Sequence, residues 1–270
     1  MNFEEFWTRG DVHERVKIAL KEANLLEKKL EIEDLFPLDQ YHARGIAATI
    51  ELADKLNFSK NSTIIDIGCG LGGPARYFSK RFNCNVYGID ITEAFIEIGN
   101  YFNKLTQIDH QVKLLKGDGE NLPYQTEFFD GAVSQHVTMN IENREQFFNE
   151  AFRVLKKGAI FGFSEHGLGT KGSPIFPLPW ADNEDMSFLK TPEYTKSLLK
   201  KIGFKNIKII STGEKYISGY NSLLKKGQSN EMPTLGIHVI GGDSMLERSK
   251  NSMRSIIENR TYPFEIICNR

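Results

Sequence analysis

Thr63-Ile64-Ile65-Asp66-Ile67-Gly68-Cys69-Gly70-Leu71-Gly72-Gly73-Pro74-Ala75 is the stretch on which the fold is decided. Thr63 to Ile67 is a short β-rich run, and it ends in the glycines Gly68, Gly70, Gly72 and Gly73. Pro74 suits a first helical position, and Ala75, Phe78 and Phe82 behind it share one helical face. The segment therefore reads strand, tight turn, helix. Glycines belong at such a turn because a side chain there keeps the backbone from approaching a ligand, while the following helix presents unpaired N–H groups.

The same unit recurs downstream. Asn85 to Ile89 is a second strand ending at Asp90, and Thr92 precedes a helix with Phe95, Ile98, Phe102 and Leu105 on one side. Val112 to Leu115 and Gly131 to Ser134 read as strands three and four. Phe148, Ala151, Phe152 and Leu155 mark a helix stopped by Lys156-Lys157-Gly158, and Ala159 to Phe163 is a fifth strand. Strands alternating with helices imply a parallel sheet covered on both faces, since parallel neighbours need crossover connections. Thr191-Pro192-Glu193 opens another helix that ends at Gly203, Ile207 to Ile210 is a sixth strand and Phe264 to Ile267 a seventh.

Upstream, Val12, Val16, Leu20, Ala23 and Leu30, then Ile46, Ile50 and Ala53, recur at helical spacing, with a proline-bearing break at Leu35 to Tyr41. The expected organisation is a helical cap over 1–60, an α/β core over 61–212, and a helical insertion with the last strand over 213–270, packed on the core as one domain. Residues 164–190 read as an insertion outside the alternation, and Met245 to Ile257 as a weakly periodic helix.

Composition narrows the function. Apolar residues make up 40% and charged residues 26%, as in a globular soluble chain. Lys and Arg number 34 against 35 acids, a net charge of −1, so no cationic surplus exists for nucleic-acid phosphates. No segment approaches the roughly 20 apolar residues of a membrane span, and the acidic amino terminus is unlike a secretory signal; the expected location is the cytoplasm. Cys69, Cys84 and Cys268 lack metal-ligand spacing and read as free thiols, and no metal is expected.

Gly68-x-Gly70-x-x-Gly73 alone also satisfies the dinucleotide fingerprint. The carboxylates around it add information. Asp66, Asp90 and Asp118 follow or end the first three strands, and in an open parallel sheet these ends share the crevice at the carboxyl edge. For S-adenosylmethionine an acid at the first strand serves the cationic amino group, one ending the second takes both ribose hydroxyls, and a third accepts from the adenine amine. A pyrophosphate beside Asp66 would be disfavoured by like charge. A nicotinamide-dependent oxidoreductase stays as an alternative; Tyr77/Lys80 and Tyr101/Lys104 miss the Tyr-x-x-x-Lys spacing by one residue. A cofactor-binding module without turnover is another.

Through Ile64 to Gly73, Gly88-Ile89-Asp90-Ile91-Thr92 and Gly117-Asp118-Gly119-Glu120-Asn121-Leu122-Pro123, the chain resembles the class I S-adenosylmethionine-dependent methyltransferases over about residues 38 to 212. Within them it is similar to the glycine, sarcosine and dimethylglycine N-methyltransferases and their quinone- and phosphoethanolamine-methylating relatives. Asp39 to Gly45, Gly70 to Tyr77, Gln135 to Ile141 and Phe176 to Ala181 carry that likeness. The resemblance implies a Rossmann-like, doubly wound, seven-stranded sheet with an antiparallel last strand. It implies S-adenosylmethionine as cofactor, held by Tyr41, Asp66, Gly68, Gly70, Gly72, Asp90, Ile91, Asp118, Gly119, Leu122 and Gln135, with Ile91 and Leu122 flanking the adenine.

The expected activity is methyl transfer to a small molecule, an amine such as a glycine derivative, or alternatively a quinol or other hydroxylated or phospholipid-precursor acceptor. Where a proton must leave, His136, just after the fourth strand, is the first candidate base and His42, from the cap, the second. Arg44 or Arg76 would hold a substrate carboxylate or phosphate through paired N–H groups. Trp180 would offer its ring to a cationic amine. His238, Gly241, Gly242, Asp243 and Ser244 are placed to form a lid, while His13, His110 and His166 show no partner.

Overall fold

The computed structural model describes the chain except residues 1–2, 9, 27–28, 43, 229–231 and 243. Seven strands form one sheet: β1 Thr63–Ile67, β2 Asn85–Asp90, β3 Val112–Lys116, β4 Phe129–Gln135, β5 Leu155–Leu168, β6 Lys205–Ser211 and β7 Thr261–Asn269. Their order is β3-β2-β1-β4-β5-β7-β6. The first five are parallel, and β7 runs antiparallel between β5 and β6. The seven-stranded sheet and its antiparallel last strand are as the sequence leads one to expect.

Alternation along β1 shows how the layers arise. Ile65 and Ile67 point to the side of α7 (Arg144–Val154) and α8 (Pro192–Ile202), among Phe147, Phe148, Leu198 and Leu199. Ile64 points to the opposite side, among Leu52 and Leu56 of α4 (Ile46–Leu56) and Ala75 and Phe78 of α5 (Gly73–Phe82). Fully burying each such side chain contributes about 1.5–3 kcal/mol, so both faces of the strand are fixed. α6 (Glu93–Leu105) turns Phe95, Ile98 and Phe102 toward the cap, α1 (Phe3–Trp7), α2 (Val12–Glu22) and α3 (Ile32–Asp39), where they meet Val16 and Leu20 of α2 and Leu35 and Leu38 of α3.

Several local expectations are corrected. Pro37 lies inside α3, which forms because Leu35 and Leu38 are wholly buried and because Asp34 caps its start, accepting from the Glu31 N–H at 2.9 Å. The buried side of α4 runs through Ala48, Thr49, Leu52, Ala53 and Leu56, with Ile50 exposed, because Thr49 is drawn inward by hydrogen bonds. α7 ends at Val154, and Leu155 to Gly158 already belong to β5, whose Leu155 pairs with Phe129 across a bulge. β5 extends to Leu168, so 164–168 is strand and only the remainder of the expected insertion is loop. That loop carries Leu178, Trp180, Ala181, Met186 and Leu189 into a small core with Phe6 and Met139.

After β6 come α9 (Gly213–Gln228), α10 (Ile237–Gly241) and α11 (Met245–Ile257). α9 and α11 pack on each other and on β7, while α10 packs on α2 and α3. Arg15 of α2 fixes α10 by donating to the carbonyls of Val239 and Ile240 at 2.8 and 3.1 Å. The three cysteines are free and buried. No helix among the described residues is long and apolar enough to cross a membrane.

Candidate functional site

A cavity of about 380 Å³ opens at the carboxyl ends of β1, β2, β3, β4 and β5 and runs under the cap and α9 to α11. Its first wall is the turn after β1. Gly68 has φ +78°, and a Cβ there would lie 2.1 Å from Val137 Cγ2, so only glycine fits. Gly70, at φ +53°, has open space where its Cβ would be, leaving a cradle beside the backbone. Asp90 braces this turn: it accepts from the N–H of Gly70 at 2.8 Å and of Thr92 at 2.9 Å.

Asp66, at the end of β1, is almost wholly buried on the cavity wall, and its Oδ2 has no partner among the described residues. Burial, with the Asp90 charge adding to it, pushes its carboxyl up to about 8. Asp118 is exposed at the rim and steadies its own turn by accepting from the Glu120 N–H at 2.8 Å. A bare acid beside an open cradle is a site built for a cation with polar groups behind it.

Three histidines line the other end. His136 sits at φ +59°, a left-handed conformation uncommon outside glycine, held by its N–H on the Ser164 carbonyl at 2.8 Å. Its Nε2 is hydrogen-bonded to the hydroxyl of Tyr216, from α9. The rings of His42 and His166 lie 5.6 and 5.5 Å from it. His166 also faces Trp180 at 4.6 Å and Tyr216 at 5.2 Å. Burial holds all three imidazoles neutral at pH 7: His42 falls to about 4, with Arg44 adding to the effect, and His166 to about 3. His136 lies well below the usual range through burial and the nearby His166, His42 and Arg44.

Of the residues expected at the site, Tyr41, His42, Asp66, Gly68, Gly70, Asp90, Ile91, Asp118, Gly119, Gln135, His136 and Trp180 all line this cavity. Gly72 does not: it caps α5, with Leu114 and Arg76 where a side chain would go. Leu122 turns into the core, its N–H on Glu150 at 2.8 Å, so it does not reach the cavity wall beside Ile91. Arg44 lies outside the wall, paired with Glu51 and stacked over Tyr216. Arg76 is neither at the surface nor in the cavity but bonded to Asp39, the Leu71 carbonyl and Asn103. Trp180 is pinned by Nε1 donating to Ser187 Oγ at 3.0 Å.

His166, which shows no partner in the sequence, is on the wall, and Tyr216, which no sequence motif marks, bonds to His136. Their signal is topological: β4 and β5 pair Gln135 with Ser164, which sets His136, just past β4, beside His166 near the end of β5. The insertion does close over the cavity, through Tyr220, Ile237, Met245 and Ser249 instead of His238, Gly241, Gly242 or Ser244; Asp243 is outside the described residues.

Comparison with known proteins agrees with this architecture. The methyltransferase domain family matches residues 65–163. The chain is 32% identical over 114 residues to the sterol 24-C-methyltransferase of Candida albicans, a match covering 42% of this chain and 30% of that protein. It is 27% identical over 175 residues to the sarcosine/dimethylglycine N-methyltransferase of Halorhodospira halochloris, covering 65% and 62%. The match thus spans about a third to under two thirds of these relatives' lengths. Among solved structures, phosphoethanolamine N-methyltransferase 2 of Haemonchus contortus, in complex with phosphomonomethylethanolamine and S-adenosylhomocysteine, superposes with a TM-score of 0.79. At 17% identity, covering 100% of this chain and 60% of that one, the likeness is one of fold.

Proposed function

We propose that the protein is an S-adenosylmethionine-dependent methyltransferase that acts on the nitrogen or oxygen of a small molecule, with His136 as the base, a reading supported by the match of residues 65–163 to the methyltransferase domain family. The observation that carries the reading is the pairing of an unpartnered, buried Asp66 with the open cradle at Gly70, at one end of a cavity whose other end holds His136.

The residues fit the cofactor. Asp66 answers its cationic amino group, which restores the ionised carboxylate that burial disfavours. Asp90 has both oxygens aligned by backbone N–H groups and retains lone pairs for two ribose hydroxyls. Ile91 and Gly119 bound an apolar slot for the adenine, beside Asp118. When bound, the cofactor supplies an electrophilic methyl group on a sulfonium.

The protein's own contribution is to align the acceptor and exclude water, effects worth about 7 to 11 kcal/mol in well-oriented reactions. In the tautomer with the hydrogen on Nε2, His136 donates to the Tyr216 hydroxyl oxygen and Nδ1 is the nitrogen that takes the acceptor's proton. Tyr41 and Trp180 line the wall around the acceptor. The likeness to a sarcosine/dimethylglycine N-methyltransferase supports nitrogen as the methylated atom without fixing the acceptor's other groups, and a hydroxyl acceptor uses the same base.

The test is transfer of labelled methyl from S-adenosylmethionine into a metabolite extract. Label in a small-molecule fraction is expected; absence of label in every fraction from protein that binds S-adenosylhomocysteine would point to the non-catalytic module instead.

A further inference from the structure

Resting on that reading, we infer that the methyl acceptor carries no anionic group: it is an uncharged, largely apolar molecule that presents one hydroxyl or free amine to His136. Among the described residues, no lysine or arginine lines the cavity. A carboxylate or phosphate taken out of water without a cation keeps its full desolvation cost, and recognition of such groups falls characteristically to arginine.

Among the described residues, Arg44, Arg144 and Arg248 stand behind the wall at this end, absent from the lining and each paired with a carboxylate. Arg44 pairs with Glu51. Arg144 donates to Glu165 at 2.7 Å and to the Thr138 carbonyl at 2.8 Å. Arg248 pairs with Asp182 and donates to the Leu178 carbonyl at 2.6 Å. Arg144 cannot swing in without leaving the buried Glu165 unpaired, which is strongly destabilising, and Arg44 and Arg248 would each give up an ion pair to a partly exposed carboxylate.

The charges that do line the cavity are acidic: Asp66, Asp90 and Asp118 at the ends of β1 to β3, Glu120 and Glu142 near Asp118, and Asp39, which is paired with Arg76. An anion would meet only repulsion from them. What surrounds the acceptor end is apolar or neutral: Met139, Pro179, Trp180, Phe188 and Met245, beside imidazoles that stay uncharged at pH 7. A glycine derivative or a phosphate-bearing headgroup precursor therefore falls outside the class, and a hydrophobic phenol, quinol, alcohol or amine falls within it.

The experiment compares probes of one shape and two charges. Protein loaded with S-adenosylhomocysteine, its binding first established by calorimetry, is titrated with 2-naphthol, 2-naphthoate and 2-naphthyl phosphate, followed by tryptophan fluorescence. Binding of the naphthol at least about tenfold tighter than either anion is expected. Equal or tighter binding of an anion overturns the inference while leaving the methyltransferase reading intact, since that reading stands or falls on the calorimetry. Met245→Lys supplies the missing cation and should shift the preference toward the anions; where this variant does not fold, the wild-type comparison decides alone.

Discussion

Arg76 Nη2 lies 2.8 Å from Asp39 Oδ2, and both side chains are wholly enclosed between α5 and the end of α3. The same guanidinium donates to the Leu71 carbonyl at 2.6 Å and to Asn103 at 2.7 Å. The cap, the glycine turn and α6 are thus held by a single residue. Gly73 completes the contact: a Cβ there would lie 2.3 Å from the Asp39 carbonyl oxygen, so cap and turn touch directly.

Breaking this pair leaves a buried carboxylate without a counter-charge, so Arg76→Ala should cost about 3–5 kcal/mol. Urea unfolding measures it. A loss below about 1 kcal/mol, the range of exposed pairs, would show that the latch is not built as described.

Asp66 predicts a pH dependence. Its carboxyl titrates at about 8 in the free protein, above the ordinary 3.8, so the folded state holds a proton that the unfolded chain releases. The stability linked to that proton is present below the ordinary value and is lost as pH rises through about 8. Asp66→Asn removes this loss and should raise the melting temperature at alkaline pH. The cationic amino group requires the ionised form, so S-adenosylhomocysteine affinity of the wild type should fall roughly tenfold per pH unit below about 8. Calorimetry across that range, in buffers of different ionisation enthalpy, reads both affinity and proton release; a flat profile contradicts the assignment.

His136 predicts a different profile. Burial and its neighbours hold the imidazole well below 6.5, so the rate should stay level through pH 6.5 instead of falling there. Removing a positioned base costs about 10²–10⁴ in rate, so His136→Gln should lose that much while retaining cofactor affinity. Tyr216→Phe keeps the ring and deletes the hydroxyl that orients Nε2; one lost hydrogen bond to a buried partner, about 1–3 kcal/mol, predicts a slowing of about 5- to 150-fold. Wild-type rates in Tyr216→Phe would show that the contact does not position the base.

The turn after β1 and the acids on β1 and β2 were legible because strand, glycine and carboxylate follow one another within a few residues. Asp118 was legible for the same reason. His166 and Tyr216 were not, because what brings them to His136 is strand order and the return of α9 over the sheet edge, neither of which leaves a short-range pattern. Leu122 and Arg44 show the converse: motif position points to the site, but the Leu122 side chain is buried in the core and the Arg44 guanidinium is taken by Glu51. Pro37 was read as a break, yet the burial of Leu35 and Leu38 outweighs the single backbone bond it removes.

S-adenosylmethionine is expected to lie across the ends of β1 and β2 with its ribose on Asp90. The direct measurement is calorimetric titration of wild type and Asp90→Ala with S-adenosylhomocysteine, with NAD as a control. Charge-assisted hydrogen bonds contribute about 1.5–3 kcal/mol each, so the variant should bind at least about 10²-fold more weakly, and NAD should not compete. Unchanged affinity in Asp90→Ala, or displacement by NAD, would contradict the account.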